Sequence, residues 1–190
     1  GRPATDLYSR VTIGYFEKMY GGISTELLWK PVDSRLAVGA ELNYALQRDF
    51  DMGFGFQEYE AIIGHLSVYY ALENGFHGSV SAGRYLAGDW GATVALDREF
   101  DNGWKVGAYF TLTDMPFEEF GEGSFDKGIR VTVPVDYFTG TPSRSGVSSS
   151  LASLSRDGGA KLNIDGRLYE VVRHGHVAGP MGETWGRVWR

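Results

Sequence analysis

The densest group of carboxylates in the sequence lies in a glycine-rich stretch, at Glu118, Glu119, Glu122 and Asp126. Calcium prefers oxygen ligands of this kind, but the residue spacing of an EF-hand loop is absent. His174 and His176 could also ligate a metal, yet no third ligand lies in register with them. The sequence therefore predicts neither a metal site nor a cofactor.

Nucleophilic catalysis is not favoured either. The chain has no cysteine, which excludes a thiolate nucleophile and a disulfide framework. No G-x-S-x-G elbow occurs, and GRYLAGDWG (83–91) is not a phosphate loop that opens a helix. We therefore expect a protein that is not an enzyme. The formal net charge of −6 offers no basic stripe, so a nucleic-acid partner is not expected.

Polar residues recur at alternate positions in two segments, 35–48 and 103–114. Strand side chains alternate between the two faces of a sheet, so each segment would form a strand with one polar and one apolar face. The polar faces carry Glu41, Asn43, Gln47, Lys105, Tyr109 and Thr111, and Arg130 holds a similar position in a later segment. The apolar faces carry Leu36, Val38, Leu42, Tyr44, Trp104, Val106, Phe110 and Leu112.

The same two-residue period predicts strands along most of the chain, at about 8–18, 21–30, 35–48, 58–72, 75–87, 91–100, 103–114 and 128–137. The turn-rich connectors KPVDSR (30–35) and ENG (73–75) join sequential antiparallel neighbours, and Asn102-Gly103 favours a type I′ turn. We expect strands over residues 1–138. Residues 139–190 are expected to form a Ser/Gly-rich connector with strands near 147–155 and at 167–173, followed by a tail.

This alternation leaves two architectures open, because the apolar face can point inward to a soluble core or outward to lipid. Segments 35–48 and 58–72 exceed the usual soluble strand and reach the roughly 9–11 residues that a tilted transmembrane strand needs. Aromatic residues near strand ends could form interfacial girdles: Tyr8, Trp29, Tyr69, Tyr70, Trp90, Phe100 and Trp104. These features favour an all-β, antiparallel, up-and-down transmembrane β-barrel with about 8–10 strands in this segment.

Four stretches carry a resemblance to a known family: RLAVGAELNYALQRDFDMGFGFQEYE (35–60), GRYLAGDWGATVALDREFDNGWKVGAYFTLTD (83–114), FGEGSFDKGIRVTVPVDYF (120–138) and SRDGGAKL (155–162). In this order the chain resembles the YjbH-like family of envelope proteins associated with exopolysaccharide production. The resemblance implies an outer-membrane β-barrel, of which this chain is the C-terminal portion of a larger or double barrel. It implies no catalytic residues.

The resemblance also implies partners and a location. The protein would lie in the bacterial outer membrane and take part in the export or assembly of an extracellular polysaccharide. Its partners would be membrane lipid, the polysaccharide, other envelope proteins of that system and the N-terminal part of its own chain. The eight apolar-face residues would contact lipid. Glu41, Asn43, Gln47, Lys105, Tyr109, Thr111 and Arg130 would face the lumen, where hydroxyls, amides, charges and aromatic rings bind sugars.

Four other interpretations remain open at this stage. The lumen-facing side chains could pair with one another and fill the interior, since about eight strands leave no aqueous channel and roughly 16 are needed for one. The chain could be a purely structural anchor for periplasmic partners. It could also be a soluble β-barrel or sandwich that binds a sugar or an apolar ligand. A glycan-modifying enzyme would require two carboxyl groups about 5–10 Å apart.

Overall fold

The computed structural model describes residues 1–51, 53–116, 125–140, 146–152 and 158–176. These residues form nine strands and two short helices. The strands are β1 (Leu7–Tyr15), β2 (Tyr20–Trp29), β3 (Leu36–Arg48), β4 (Phe56–Ala71), β5 (Phe76–Arg84), β6 (Trp90–Glu99), β7 (Lys105–Thr113), β8 (Asp126–Pro134) and β9 (Gly146–Ala152). The helices are α1 (Asp136–Thr139) and α2 (Leu168–His176).

All nine strands belong to one antiparallel sheet whose spatial order is the order of the chain. The prediction of an all-β, up-and-down antiparallel arrangement is thus confirmed. The expected closure is not present, because β1 and β9 form the two ends of the sheet and do not pair with each other in the described part of the chain. The structure therefore shows an open sheet. β9 extends it past residue 138 by pairing with β8, as the strand expected near 147–155 requires.

The type I′ turn lies in a different hairpin from the one predicted. Asn74 and Gly75 both have positive φ angles, of 56° and 74°, as the two central residues of a type I′ turn must. At the predicted position only Gly103 has positive φ, and its N–H donates to Phe100 O at 2.8 Å. A type I turn followed by a left-handed glycine accounts for this connection. This combination closes a loop that is one residue longer than the two-residue loop of a type I′ turn.

The strand predicted at 167–173 is wrong, because these residues lie in helix α2. Tyr169 and Val172 are 4% and 9% exposed, whereas Val171 between them is 61% exposed. Burial at i and i+3 is the period of a helix face and does not fit strand alternation. The run of β-branched valines favoured a strand in isolation, but packing against the sheet overrides that preference.

The two faces of the sheet differ sharply in chemistry. We call the face that contacts residues 158–173 the inner face, and the opposite one the outer face. Buried inner-face side chains are mostly polar and include Ser24, Glu26, Asn43, His65, Ser67, Ser81 and Thr111. Exposed outer-face side chains are mostly large and apolar and include Val11, Ile13, Leu27, Leu42, Ile62, Leu66, Val80, Leu96 and Leu112. This distribution is the inverse of that in a water-soluble sandwich.

Residues 158–173, which we call the inner segment, lie along the inner face between its two rims. Among the described residues, the upper rim holds 16–19, 49–51, 53–55, 85–89, 114–116 and 125, and the lower rim holds 30–35, 72–75, 100–104 and 135–140. Near the upper rim, Leu162 and Ile164 pack with Ala45, Ile63 and Leu86. Near the lower rim, Tyr169 and Val172 pack with Leu28 and Ala37. Two small apolar clusters therefore anchor the inner segment, one at each rim.

Candidate functional site

The centre of the inner face holds two carboxylates that face each other across β2 and β3. Glu26 and Glu41 are direct partners in the register of these strands, so their Cβ atoms lie about 4.5–5.5 Å apart. Both side chains are buried, at 5% and 7% exposure. Two adjacent buried anions need cations and hydrogen-bond donors, because like charges directly opposite each other destabilise a sheet.

Arg10 and helix α2 satisfy Glu26. Arg10 Nε donates to Glu26 Oε2 at 3.0 Å, and Arg10 Nη1 donates to Asp165 O at 3.1 Å. The backbone N–H of Leu168, the first residue of α2, donates to both carboxylate oxygens of Glu26 at 3.1 Å. The carboxylate thus accepts from a free N–H of the first helical turn, where the helix dipole favours negative charge.

Arg167 satisfies Glu41. The Arg167 guanidinium forms an ion pair with the Glu41 carboxylate and also donates to Leu162 O at 2.9 Å, which folds the inner segment upon itself. Asn43 Nδ2 donates to Glu41 Oε1 at 2.7 Å. The structure therefore brings the predicted residues Glu41 and Asn43 together, underneath the chain's own polypeptide.

A chain of hydroxyl groups fixes the beginning of the inner segment. Tyr85 Oη lies 2.6 Å from Thr93 Oγ1, which lies 2.9 Å from Thr111 Oγ1. Thr111 is 1% exposed and packs beneath Gly159, where an added Cβ would lie 2.9 Å from Thr111 Cγ2. Gly159 also has a φ of +70°, which favours glycine. Thr111, a predicted lumen residue, is thus covered.

The inner face of β6–β8 carries a more accessible polar cluster. Asp97 and Arg130 pair at 3.0 Å with side chains that are 40% and 48% exposed. They meet over Gly107, where a Cβ would lie 1.8 Å from Asp97 Oδ1. The ring of Tyr109 similarly lies over Gly128, where a Cβ would be 2.6 Å from Tyr109 Cε1. We call Asp97, Tyr109 and Arg130 the open cluster; it combines an aromatic ring with both signs of charge.

Lys105 lies at the lower rim beside the open cluster. Lys105 Nζ is 3.6 Å from Glu99 Oε2, and the same carboxylate oxygen pairs with Arg173 Nη1 at 3.0 Å. Arg173 also pairs with Glu170 at 2.9 Å, and these neighbouring carboxylates raise its pKa against the effect of burial. This network ties the end of α2 to β6 and β7.

The remaining predicted site residues lie apart from these groups. Gln47 is half-buried at the upper rim of β3, away from the open cluster on β6–β8. Seven of the predicted apolar-face residues, Leu36, Val38, Leu42, Tyr44, Val106, Phe110 and Leu112, are exposed on the outer face. Trp104 precedes β7 and is half-buried. Glu118, Glu119 and Glu122 lie outside the described residues, and so do the side chains of His174 and His176.

Several residues that organise the inner face carried no local signal. Arg10, His65, Tyr85, Lys161 and Arg167 acquire their roles through contacts between distant parts of the chain. His65 is 4% exposed and its ring lies 4.8 Å from that of Tyr85 in an edge-on contact. Alternation in KLNID (161–165) would have indicated an extended segment packed on a surface, since Leu162 and Ile164 point one way.

Burial alters the protonation of two residues of the inner segment. The pKa of Lys161 falls to about 8, chiefly because burial disfavours the charged ammonium and also because the Arg167 guanidinium is near. The pKa of Tyr169 rises to about 12, because its hydroxyl is buried while the ring stacks on Tyr69 at 4.0 Å between centroids. The inner segment thus holds a lysine that titrates close to neutral pH.

The described residues contain neither a cluster of metal ligands nor a membrane-spanning helix. No three His, Asp or Glu side chains in this part of the chain come close enough to hold a metal ion. Neither helix in the same part is long and apolar enough to cross a membrane.

Comparison with known proteins connects the chain to exopolysaccharide biosynthesis. The family model described as YjbH, exopolysaccharide biosynthesis protein YbjH, matches residues 1–174. The chain is 41% identical over 171 residues to the uncharacterized lipoprotein YjbH of Escherichia coli (strain K12). This match covers 87% of the chain and 24% of the relative, so the chain spans about a quarter of that protein. No solved structure matches the chain.

Replacing Arg167 by Gln should release the inner segment, because the buried Glu41 carboxylate would lose its cation. We expect a loss of about 2–4 kcal/mol in the free energy of unfolding, together with faster proteolysis within residues 158–173. Equilibrium denaturation and limited proteolysis measure the two effects. The control is Arg35→Gln, whose pair with Glu73 is 57% and 75% exposed and should matter by less than about 1 kcal/mol. Equal effects of the two variants would contradict the role of Arg167.

Replacing Lys161 by Met should stabilise the protein at neutral pH. The pKa of Lys161 in the folded protein, about 8, lies below the ordinary 10.5, so the folded state resists protonation. The free-energy cost of burying the charged Lys161 ammonium is fully present below pH 8 and is relieved as the pH rises from 8 to 10.5. We expect Lys161→Met to raise the free energy of unfolding by about 1–3 kcal/mol at pH 7 and less at pH 10. Lys18→Met, at an exposed turn position, is the control. The same gain at both pH values would exclude this explanation.

Proposed function

The chain belongs to the YjbH exopolysaccharide biosynthesis family, and we propose that it forms part of an outer-membrane β-barrel that takes part in the export or assembly of an extracellular polysaccharide. The family match confirms the resemblance carried by residues 35–60, 83–114 and 120–138. The matching family is described as an exopolysaccharide biosynthesis protein, which supports the link to exopolysaccharide. Beyond this link, we propose the location in the outer membrane and the role in export or assembly.

One observation carries the membrane part of the proposal: the sheet buries its polar face and exposes its apolar face. Asn43 is 1% exposed and Glu26 5%, while Leu66 and Ile13 on the outer face are 68% and 74% exposed. A protein in water rarely leaves an apolar surface of this width uncovered. Hydrocarbon reverses the preference, since lipid-facing positions of a membrane barrel are apolar and lumen positions polar. This distribution disfavours the soluble barrel or sandwich.

Aromatic residues at both ends of the outer face also support the proposal. Tyr15, Phe56 and Trp90 lie at the upper rim with more than two-fifths of their surface exposed. Trp29 and Tyr70 lie at the lower rim with similar exposure. Such rings are favoured at the two interfaces of a membrane, where one part of the ring is apolar and the other contacts water.

The open edges of β1 and β9 require partners within the membrane, because unpaired backbone groups are costly in hydrocarbon. We propose that strands from the rest of a longer chain pair with these edges. The relative that matches this chain is about four times as long as the match, so it has enough sequence to supply them. Nine strands alone would leave too little room for a polymer channel, and a larger barrel removes that restriction.

The open cluster is the place where we propose that the polysaccharide is contacted. Tyr109 offers an aromatic face for sugar C–H groups, while Asp97 and Arg130 offer acceptors and donors that are partly exposed. Lys105 and Thr132 are neighbours on the same face of β7 and β8. Glu41, Asn43 and Thr111 are covered by the inner segment, so we do not extend the contact surface to them.

A structural anchor is the second candidate, and the inner segment favours it. Residues 158–173 occupy the inner face of β1–β5 through ion pairs and two apolar clusters, as a fixed filling would. Catalysis is not proposed. Glu26 and Glu41 are neighbouring carboxylates, which a glycosidase would also need, but Arg10, Arg167 and Leu168 N–H already bind their oxygens.

The membrane part of the proposal is tested by replacing Phe110 with Arg in the full-length parent. Phe110 lies in the middle of the outer face of β7, so Arg there should cost about 2–4 kcal/mol and reduce the heat-modifiable, folded band in outer-membrane extracts. Val32→Arg is the control, because Val32 is an exposed apolar residue in the turn 30–35. A freely soluble parent, or equal damage by both changes, would contradict the lipid-facing assignment.

The glycan part is tested by Gly107→Ala. The new Cβ would displace the Asp97 carboxylate and separate it from Arg130, with little effect on the backbone. We expect roughly three- to tenfold weaker retention of the full-length parent on immobilised exopolysaccharide from the producing bacterium. Gly39→Ala is the control, since its Cβ would make only ordinary contacts, 3.4 Å or longer, on the same face. Unchanged retention by Gly107→Ala would favour the structural anchor.

A further inference from the structure

The outer face of the β5–β6 hairpin carries an arginine at each end and no charge between them. Its outward side chains are Phe76, Val80, Ala82 and Arg84 on β5, and Trp90, Ala92, Val94, Leu96 and Arg98 on β6, with Gly78 between Phe76 and Val80. The register pairs Arg84 with Trp90 at the upper rim and Arg98 with Phe76 at the lower rim. Each arginine is therefore paired in the register with an aromatic residue.

The separation of the two arginines matches the apolar thickness of a membrane barrel. Trp90, opposite Arg84, is eight residues from Arg98 along β6, and eight steps of about 3.3 Å span about 26 Å. A strand tilt near 40° reduces this to about 20 Å along the membrane normal, compared with an apolar band of about 25 Å. Both backbone positions therefore lie just inside the apolar band, from which a long arginine side chain can extend its charged end to the lipid phosphates.

Arg98 lies beside two aromatic rings and has no ion pair with any described residue. Its Cζ lies 4.5 Å from the centroid of Phe100 and 4.9 Å from that of Phe76. Its Nε is buried without a hydrogen-bond partner, and no ion pair to Arg98 occurs among the described residues. By contrast, four arginines on the inner-face side of the sheet are paired with carboxylates: Arg10, Arg130, Arg167 and Arg173.

Arg84 borders a recess created by unequal strand lengths. β4 has 16 residues and β5 has nine, so β5 ends at Arg84 opposite Gly64 while β4 extends beyond this row as far as Phe56. Arg84 Nε donates to Gly88 O at 3.3 Å, and within the described part of the chain it has no ion pair. Its side chain lines the recess beside Ile62.

An apolar trough of about 520 Å³ lies beside this recess on the outer face. Its floor is formed by the small residues Ala40, Gly64 and Ala82, and Leu66 and Trp90 border it. Small side chains surrounded by large ones leave a depression with apolar walls, which an apolar chain can occupy. The trough and Arg84 together thus present an apolar slot with a cation near its end.

We propose that Arg84 and Arg98 each bind the phosphate of a membrane-lipid headgroup, and that the trough holds an acyl chain of the lipid bound at Arg84. A guanidinium donates two parallel hydrogen bonds to a phosphate, and charge-assisted bonds of this kind are stronger than neutral ones. The trough and the membrane depth select a lipid over free phosphate. This inference rests on the proposed membrane function.

The test uses the full-length parent purified in mild detergent and titrated with dioleoylphosphatidylglycerol, with bound lipid counted by native mass spectrometry. Arg84→Gln and Arg98→Gln should each weaken lipid retention about tenfold, and Ala82→Phe, which fills the trough, should weaken it at the Arg84 site only. Arg35→Gln is the control, because Arg35 lies in the lower-rim turn and already pairs with Glu73. A heat-modifiability gel checks that every variant is folded.

Two further probes identify what is bound. Dioleoylglycerol, which lacks the phosphate, should bind weakly, and equally to the parent, Arg84→Gln and Arg98→Gln. Inorganic phosphate at the same concentration should not displace the phospholipid; full displacement would mean an adventitious ion only and would overturn the proposal. A folded membrane protein whose Arg84→Gln/Arg98→Gln variant binds lipid like the parent would overturn this inference alone. A freely soluble parent that binds no lipid would overturn the proposed function as well.

Discussion

The juxtaposition of Glu26 and Glu41 inside the sheet is the constraint on which most of the structure depends. Antiparallel pairing of β2 with β3 puts these carboxylates opposite each other, and burial prevents water from compensating their charge. Arg10 supplies one cation from β1, and Arg167 supplies the other from the inner segment. Because Leu168 N–H binds Glu26 as well, the position where α2 begins is set by the same carboxylate. These contacts dock the inner segment, which in turn covers the inner face of β1–β5.

The inner segment leaves part of the inner face uncovered, and the polar side chains there are more exposed. On β6–β8 the glycines at 107 and 128 leave space in which Asp97, Arg130 and Tyr109 lie close to the sheet. The polar residues of this face therefore divide into a buried set that holds the fold together and an exposed set that is free to meet a ligand. The outer face is uniform by comparison, with charge only near its rims. A single antiparallel sheet thus presents three chemically different surfaces.

Local patterns were sufficient for the sheet and for its two faces. Alternation in 35–48 and 103–114 depends only on neighbouring residues, and it correctly predicted β3, β7 and their apolar and polar sides. Alternation could not predict which polar residues are covered, because the Arg167–Glu41 pair joins residues 126 positions apart. The helix at 168–176 was missed for a related reason, since its helical period is evident only once the partners of Tyr169 and Val172 on the sheet are known. The alternation also suggested a closed barrel, but a two-residue period fixes only the two faces of a strand and does not determine whether β1 and β9 pair.

The order of the strands has a consequence for how the chain folds. Every strand pairs with its neighbour in sequence, so the sheet can grow one hairpin at a time from contacts that are local in the chain. The inner segment does the opposite, since Leu168 must reach back 142 residues to Glu26. Contacts of large sequence separation form slowly, because a long loop must close before they contribute. Folding of this sheet therefore has a late step, in which the inner segment neutralises charges on β2 and β3, and a chain truncated before residue 158 would keep the Glu41 carboxylate without its Arg167 partner.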